Sequence, residues 1–408
     1  MTDTSREYDL VLLGATGFTG RLVAEHILHV AKRDGVRWAV AGRNEAKLAS
    51  VMSELGAQDI PRLTVDSTDA DSVNDLASRT RVVCTTVGPY SLYGSALVAA
   101  CAQHGTHYCD LAGEVHWIAR MIEVHHDKAV DSGARIVPCC GFDSVPSDMG
   151  TWYLQREARA QFGEPLQTVS FRVKAARGGA SGGTVASLMQ VIEAARADRD
   201  VARTVRHPYS FNPPALRSGP DRAEPMWPSY DPDFESWTAP FVMGAINTKV
   251  VRRSNALLDH VYGDKFGYSE AMLTGRGLAG KAKAMMMAGS LNSLMLGAAF
   301  KPGRYVLNRF FLPSPGQGPT KQQRENGFFN IALHGKGPGD NALRAVVTAD
   351  RDPGYGATSR MLGEAALSLA VDESPWDGGG LLTPAAALGD AYIDRLEAHA
   401  GMTFKFKD

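Results

Sequence analysis

The stretch from Tyr8 to Gly20, YDLVLLGATGFTG, constrains the fold of this chain more than any other. Its first part, Asp9 to Leu13, is mostly apolar and predicts a strand that is buried on both faces. A glycine-rich segment follows at once, and Arg21 to Lys32 then repeats apolar residues at three- and four-residue steps, as a helix does. A strand, a glycine-rich turn and a helix in this order form the pyrophosphate site of dinucleotide-binding folds. The spacing is G-x-x-G-x-x-G rather than the commoner G-x-G-x-x-G, so a glycine turn without a ligand remains the alternative.

Length, charge and cysteine usage limit the class of protein. A chain of 408 residues is long enough for two or three domains with substantial cores. The formal net charge of -1 gives no reason to expect a nucleic-acid partner. The chain has five cysteines, an odd number without a C-x-x-C pair, and a polar N-terminus without a secretory signal. These features predict a protein of the reducing cytoplasm.

The residue after the second predicted strand discriminates between the two nicotinamide cofactors. Trp38 to Ala41 predicts that strand, and Gly42-Arg43 follows it. NAD-binding sites place an acidic residue here for the ribose 2′-hydroxyl, whereas a basic residue suits the 2′-phosphate of NADP(H). Arg43 therefore predicts NADP(H), with a surface arginine at the start of the next helix as the alternative.

Further strands are predicted before residue 150, and residues suited to a ligand site follow them. Leu63 to Asp66 places Asp66 where the adenine usually lies, and Arg81 to Val87 leads into Gly88-Pro89, which lets backbone approach the nicotinamide ribose. The remaining strands are His107 to Leu111 and Arg135 to Pro138. Because strands alternate with helical segments, they predict a parallel sheet whose carboxyl ends share one crevice.

After about residue 150 the pattern changes. Thr168 to Ala176 alternates apolar and polar residues, which predicts a half-buried antiparallel strand. Arg177 to Gly183 (RGGASGG) then leads into a helix from Thr184 to Arg196, and this segment suits either a bound anion or a flexible loop. Together with the strands predicted over Phe241–Ile246, Phe328–Leu333 and Leu343–Thr348, this indicates a second domain with a mixed or antiparallel sheet.

Two segments of the second half allow more than one interpretation. His207 to Pro240 is rich in proline and aromatic residues, and it fits a lid over a pocket or surface packing. Ala284 to Phe300 carries no charge but is a little short for a membrane-spanning helix. With its basic flanks and Phe310 to Leu312, it fits a membrane contact through 284–312, a wall for an acyl chain, or a core or subunit-contact helix.

With these residues in view, the chain resembles the saccharopine-dehydrogenase-like oxidoreductases, and within them the branch of the trans-acting enoyl reductases. The resemblance covers nearly the whole chain. It rests on these motifs: GATGFTG (14–20), AGR (41–43), VGPY (87–90), YG (93–94), YCDLAGE (108–114), GFDSVPSD (141–148), SGGT (181–184) and GGLLTPAAALG (379–389). GFDSVPSD and YCDLAGE are far more specific than the glycine-rich turn.

The resemblance implies an α/β fold with a Rossmann-type parallel sheet over residues 1–150. A substrate domain with a mixed or antiparallel sheet is inserted at 151–354, and the segment 355–408 returns to the first domain. It implies NADPH as the hydride donor, bound by residues of the glycine-rich turn and of later strand ends. The expected cofactor residues are Gly14, Thr16, Gly17, Phe18, Thr19, Gly20, Arg43, Asp66, Gly88 and Pro89.

The branch also implies the reduction of an enoyl thioester. That chemistry needs a donor that polarises the thioester oxygen and protonates the α-carbon. The candidates are Tyr90, Tyr93, Asp143 and Ser144, with Asp110 and Glu114 at neighbouring strand ends; each of them also fits a structural turn or capping role.

Three other interpretations bear on function. A metal site built from Cys101, His104, His107 and Cys109 is not expected, because their spacing is irregular. The set of basic residues with which saccharopine enzymes bind a dicarboxylic amino acid is not recognisable, which argues against a lysine-pathway role. The alternatives to enoyl reduction are an imine or amino-acid reductase and a non-catalytic NADP(H)-binding or membrane-associated scaffold. The expected partners are a small-molecule or acyl-type substrate and a second copy in a homodimer.

Overall fold

The computed structural model describes residues 6–178, 182–298, 300 and 318–407, without the side chains of 182–186 and 188. Predicted features on residues 179–181 and 301–317 lie outside the described residues. The strands are β1 (Tyr8–Leu13), β2 (Trp38–Gly42), β3 (Arg62–Thr64), β4 (Thr80–Thr85), β5 (His107–Cys109), β6 (Arg135–Val137), β7 (Thr168–Arg177), β8 (Ser229–Asp231), β9 (Ser236–Ala239), β10 (Gly267–Gly275), β11 (Phe328–Lys336), β12 (Ala342–Ala349), β13 (Gly380–Leu381) and β14 (Met402–Lys407).

Helices connect these strands. They are α1 (Phe18–Asp34), α2 (Glu45–Glu54), α3 (Ala70–Arg79), α4 (Tyr90–Tyr93), α5 (Ser95–His104), α6 (Val115–Ser132), α7 (Val145–Phe162), α8 (Gly182–Ala197), α9 (Arg199–Arg206), α10 (Gly244–Leu257), α11 (Gly277–Ala298), α12 (Lys321–Glu325), α13 (Thr358–Val371) and α14 (Pro384–His399). A short 3₁₀ turn spans Pro214–Leu216, and a π-helical turn spans Pro353–Ala357.

The first sheet is parallel and has the order β13-β6-β5-β4-β1-β2-β3. Leu10 of β1 pairs with Trp38 of β2 on one side and with Val82 of β4 on the other. The chain therefore reverses its winding direction between β1 and β4, and in such sheets ligands bind at the carboxyl ends of these two strands. The predicted parallel sheet is confirmed, and the crevice at these strand ends stays a prediction.

The second sheet is mixed and has the order β14-β12-β11-β7-β10-β9-β8. The prediction for its strand β7 was wrong in part: β7 lies in the middle of the sheet and pairs in parallel with β10, although it is antiparallel to β11. The prediction took Arg172 for a solvent-facing residue because it is polar. Arg172 is in fact buried, and its Nε lies 2.7 Å from Asp231 Oδ2. A buried ion pair gives the same alternation of apolar and polar residues as a solvent-facing strand.

The strand predicted over Phe241–Ile246 was also wrong, because a turn leads there into helix α10. Nearly all of α10 is buried, including Asn247, Lys249, Arg252 and Arg253. A helix buried on every side lacks the apolar stripe that identifies helices in a sequence, and a short apolar run fits either element.

The proline- and aromatic-rich segment begins as packed structure rather than as a free lid. Its residues 209–212 are buried, and three basic side chains of α10 donate hydrogen bonds to its backbone carbonyls. Lys249 Nζ lies 2.8 Å from His207 O, Arg252 Nη1 lies 3.2 Å from Pro208 O, and Arg253 Nη1 reaches Phe211 O. The three basic side chains of α10 are therefore engaged in hydrogen bonds within the protein.

The C-terminal segment joins both sheets. Strand β13 extends the first sheet beside β6, β14 extends the second beside β12, and α13 packs on α1. The predicted fold class is confirmed: a Rossmann-type parallel sheet, an inserted domain with a mixed sheet, and a return of the chain to the first domain. The domain boundaries stay a prediction.

Candidate active site

The glycine-rich turn has the geometry of an anion site. Gly14 has φ +100° and donates to Ala41 O at 2.9 Å, which turns the chain sharply after β1. A Cβ on Gly20 would lie 2.1 Å from Gly14 O, so only glycine lets α1 pack this closely. Gly17 caps α1 without a side-chain hydrogen bond, and Thr16 and Gly17 are exposed. The first amides of α1 are therefore free of side-chain caps and positioned to bind phosphate oxygens.

Phe18 and Thr19, at the start of α1, are partly buried. The Phe18 ring packs edge-on against Tyr355, with ring centroids 4.8 Å apart, and the Arg324 guanidinium lies 5.4 Å from its centre. Phe18 thus also joins the first domain to the C-terminal segment. Arg324 is a cation near the phosphate turn that the sequence did not indicate, because it lies more than 300 residues further along the chain.

Arg43 and Asp66 lie at the same edge of the first sheet. Arg43 is exposed directly after β2, and its guanidinium has no hydrogen-bond partner or ion pair within the described ranges. The backbone N–H and hydroxyl of Thr68 donate to Asp66 Oδ1 at 2.9 and 2.8 Å. These bonds lower the pKa of Asp66, and the charge of Arg43 adds a smaller contribution. Asp66 forms a turn here, while Arg43 remains available to a ligand.

Glu114 organises the loop that follows β4. Its buried carboxylate accepts the backbone N–H groups of Tyr90 at 2.7 Å and Ser91 at 2.9 Å. The Ser187 hydroxyl of α8 donates to the same carboxylate at 3.3 Å. Glu114 thereby fixes the position of Gly88 and Pro89 relative to α6 and α8.

The two candidate tyrosines have different environments. Tyr90 is buried, its hydroxyl donates to Thr85 O at 3.2 Å, and its ring stacks on Trp117 at 5.6 Å. Burial raises the pKa of Tyr90 well above its ordinary value, so this hydroxyl stays protonated. Tyr93, at the end of α4, is 36% exposed, and its hydroxyl has no hydrogen-bond partner among the residues that the structure describes.

Asp143 and Ser144 follow β6 but point to different surroundings. The Asp143 carboxyl lies beside the loop after β5, where a Cβ on Gly113 would be 3.7 Å from Oδ2, and it accepts no hydrogen bond from the described part of the chain. Burial raises the pKa of Asp143 to about 6. Ser144 is buried at the N-terminus of α7, and its hydroxyl donates to Asn247 Oδ1 at 3.3 Å instead of capping the helix.

A buried polar network extends from Ser144 into the second sheet. Asn247 Nδ2 donates to Glu270 Oε2 at 2.9 Å, and the Tyr268 hydroxyl donates to Glu270 Oε1 at 2.7 Å. Burial raises the pKa of Glu270 to about 7. Asn247 and Glu270 were not predicted as site residues, because they join Ser144 only through contacts between distant segments of the chain.

Asp110, a candidate acid, and His107, considered for a metal site, both form hydrogen bonds within the protein. Asp110 accepts the Tyr108 hydroxyl at 2.7 Å, Ala112 N–H at 2.8 Å and Cys139 N–H at 3.1 Å, which holds the loop after β5 against β6. His107 Nδ1 accepts Arg135 N–H at 3.1 Å, and burial lowers the pKa of its imidazole to about 3. Within the described ranges the structure contains no His, Cys, Asp or Glu cluster that could hold a metal ion.

Comparison with known proteins identifies a nucleotide-binding domain in the chain. Residues 10–137 match the family model of the saccharopine dehydrogenase NADP binding domain. A Mycobacterium tuberculosis protein with a provisional trans-acting enoyl reductase name is 41% identical, with 99% of each chain aligned. The trans-acting enoyl reductase of Mycobacterium ulcerans is 38% identical over 97% of each chain.

Among solved structures, the apo saccharopine dehydrogenase (L-Glu forming) of Saccharomyces cerevisiae aligns with a TM-score of 0.53. The alignment covers 98% of this chain and 100% of that one at 13% identity. At this identity the likeness concerns the fold alone.

Proposed function

We propose that this chain, which belongs to the family of the mycobacterial trans-acting enoyl reductases, reduces the carbon–carbon double bond of an enoyl, acyl-type substrate. Residues 10–137 contain its NADP-binding domain, and the chain is an NADP-dependent oxidoreductase. NADPH supplies the hydride in this chemistry. The residues of the chain must then bind the cofactor, orient the substrate and deliver a proton.

The glycine-rich turn fits the cofactor. The free amides at the start of α1 suit the pyrophosphate, and Arg43, which has no acidic partner in contact among the described residues, suits the 2′-phosphate. We assign the same cofactor-binding role to Gly14, Thr16, Gly17, Phe18, Thr19 and Gly20. Asp66 is assigned to the adenine end, and Gly88 and Pro89 to the nicotinamide end.

The unpartnered carboxyl of Asp143 is the observation that carries the proposed reaction. Hydride addition to the β-carbon of an enoyl thioester leaves negative charge on the α-carbon and the thioester oxygen, and the α-carbon then takes a proton. A carboxyl with its pKa raised to about 6 retains its proton in part near neutral pH. Substrate that covers the crevice excludes water and favours the protonated form further. We therefore assign Asp143 as the proton donor.

The remaining candidates take other roles in this proposal. The exposed hydroxyl of Tyr93 is free to donate a hydrogen bond to the thioester oxygen. Tyr90 and Ser144 donate to Thr85 O and Asn247 Oδ1, so we treat both as positioning residues rather than proton donors.

The test is NADPH consumption with short and long trans-2-enoyl thioesters. Wild-type protein should oxidise NADPH in step with enoyl acceptor. Asp143→Asn should bind NADPH normally but reduce turnover by about 100-fold or more, the usual worth of a positioned general acid. Asp127→Asn on α6, an acidic residue outside the crevice, is the matched control. NADPH binding without consumption across the panel would overturn the reductase proposal and favour the non-catalytic scaffold.

An imine or amino-acid substrate receives less support from the geometry. Lys249, Arg252 and Arg253 donate to backbone carbonyls of residues 207–211, so these groups are not free to bind a dicarboxylate.

We place the reductase in the cytoplasm. Within the described ranges, the structure has no helix long and apolar enough to cross a membrane.

A further inference from the structure

Helix α11 buries small residues and exposes large ones. Ala284, Ala288 and Ala298 are buried on its inner face, which packs on β9 and β10. The opposite face exposes Leu278 (87%), Met285 (50%), Met286 (65%) and Leu296 (62%). Positions 278, 285 and 296 follow a helical period, so these side chains form one stripe. A stripe of large, flexible apolar side chains facing water marks a surface that meets another apolar phase.

Aromatic side chains border this stripe. Asn292 Nδ2 of α11 donates to Met226 O at 3.2 Å, which holds the next residue, the 67% exposed Trp227, near the helix. Tyr230 is 50% exposed and packs edge-on against Trp237, with ring centroids 5.9 Å apart. Tryptophan and tyrosine are the residues enriched where membranes meet water.

Most of the charged residues in and beside α11 are basic, although Glu235 pairs with one of them, Arg276. The sequence contains no Asp or Glu from Ala271 to Arg324, while it contains eight basic residues: Arg276, Lys281, Lys283, Lys301, Arg304, Arg309, Lys321 and Arg324. Lys281 and Lys283 are exposed on α11, and Lys281 Nζ lies 5.1 Å from the Trp237 ring centre. Lysines of this kind can extend toward lipid headgroups while their stems cover apolar surface.

We propose that this surface docks the protein on an anionic lipid bilayer, with α11 lying in the plane of the headgroups. We call it the α11 surface and define it by Trp227, Leu278, Met285, Met286, Leu296 and Phe300. Apolar side chains bordered by lysine and aromatic residues match the pattern of interfacial helices, and here the body of the protein covers the helix face that would otherwise be polar. A two-fold contact between two copies is disfavoured, because it would bring the exposed Lys281 and Lys283 of one copy toward the same lysines of the other.

The α11 surface is connected to the candidate active site through α8. Arg196 in the last turn of α8 lies 5.6 Å from the Phe300 ring centre, and Ser187 of the same helix donates to Glu114 at 3.3 Å. Docking would therefore place an acyl-type substrate dissolved in the bilayer one helix away from the crevice. The docking itself is independent of the proposed reduction.

Flotation of the full chain with vesicles tests the proposal. Wild-type protein should float with phosphatidylcholine vesicles that contain phosphatidylglycerol, and much less with phosphatidylcholine alone. Leu278→Ser/Met286→Ser/Leu296→Ser and, separately, Lys281→Glu/Lys283→Glu should each lower the partition coefficient by about tenfold or more. The control Val124→Ser/Val130→Ser changes exposed apolar residues on α6 (45% and 47% exposed) and should float like wild type.

Three results would overturn the proposal. Wild-type protein that stays below anionic vesicles excludes the bilayer as partner, and a serine variant that floats as well as wild type excludes the α11 surface. Sedimentation velocity provides the third, because a wild-type dimer that the serine substitutions dissociate would identify the surface as a contact between copies.

Fluorescence quenching tests the orientation of the docked protein. Brominated lipids should quench the fluorescence of wild-type protein more than that of Trp227→Phe, and equal quenching would count against docking in this orientation.

Discussion

The carboxylate of Glu114 lies 2.7 Å from the backbone nitrogen of Tyr90, and this contact joins the start of α6 to the loop in which the nicotinamide end of the cofactor is proposed to bind. The same carboxylate reaches Ser91 N and the Ser187 hydroxyl. One buried acidic side chain thus positions two walls of the crevice.

Glu114→Gln should loosen this loop. The amide retains one acceptor oxygen but directs an NH₂ group at a backbone N–H, so the free energy of unfolding should fall by about 1–3 kcal/mol. The KM for NADPH should rise with it. Chemical denaturation and steady-state kinetics measure the two effects. The control Glu123→Gln, at a 65% exposed side chain of α6, should change neither, and unchanged kinetics in Glu114→Gln would contradict the positioning role.

Arg43 should decide between the two cofactors. Arg43→Ala should raise the Kd for NADPH by about 10- to 100-fold, because the variant loses charge-assisted hydrogen bonds to the 2′-phosphate. The weak binding of NADH should remain unchanged. Nicotinamide fluorescence titration measures both constants, with Arg120→Ala on α6 as the control. Equal losses for NADPH and NADH would show that Arg43 does not contact the 2′-phosphate.

Gly20 should tolerate no side chain. The Cβ of Gly20→Ala would meet the carbonyl of Gly14, so α1 must shift, and the free energy of unfolding should fall by about 3 kcal/mol with loss of nucleotide binding. In Gly289→Ala the Cβ meets no heavy atom within 4 Å, and helix propensity should raise the stability by up to about 1 kcal/mol. Thermal unfolding with and without NADPH separates the two variants. A stable Gly20→Ala protein that binds NADPH would contradict the close helix packing.

The Asp143 carboxyl should set the pH dependence of turnover. Because its pKa is raised to about 6, the protonated fraction decreases about tenfold for each pH unit above 6, and kcat should follow. The contribution of Asp143 to the free energy of unfolding should also decrease as the pH rises. The raised pKa favours the folded state below the ordinary pKa of 3.8, and this contribution is lost as the pH rises to about 6. Asp143→Asn should flatten both profiles, and a kcat profile that Asp143→Asn leaves unchanged would assign the proton to another group.

The features that the sequence predicted well are local. The glycine-rich turn and Arg43 each follow a buried strand within a few residues, and the parallel sheet follows from the alternation of strands and helices. NADP(H) as the cofactor is confirmed by the match to the NADP binding domain. The site residues themselves stay a prediction.

The features that the sequence missed depend on contacts between distant segments. Ser144 and Asn247 meet across more than a hundred residues, and the buried pair of Arg172 and Asp231 imitates a solvent-facing strand. Helix α10 buries Lys249 and Arg253 against backbone carbonyls, so its pattern contains neither an apolar stripe nor a polar face. Only the packed chain shows why polar residues stand at these positions.

The most direct test of the proposed reaction uses NADPH that carries deuterium at the transferred C4 position, with a trans-2-enoyl thioester in ordinary water. Mass spectrometry of the product should show a saturated thioester with one deuterium on the β-carbon and a solvent-derived proton on the α-carbon. A product without deuterium, or no saturated product while the cofactor remains bound, would contradict hydride transfer to an enoyl group.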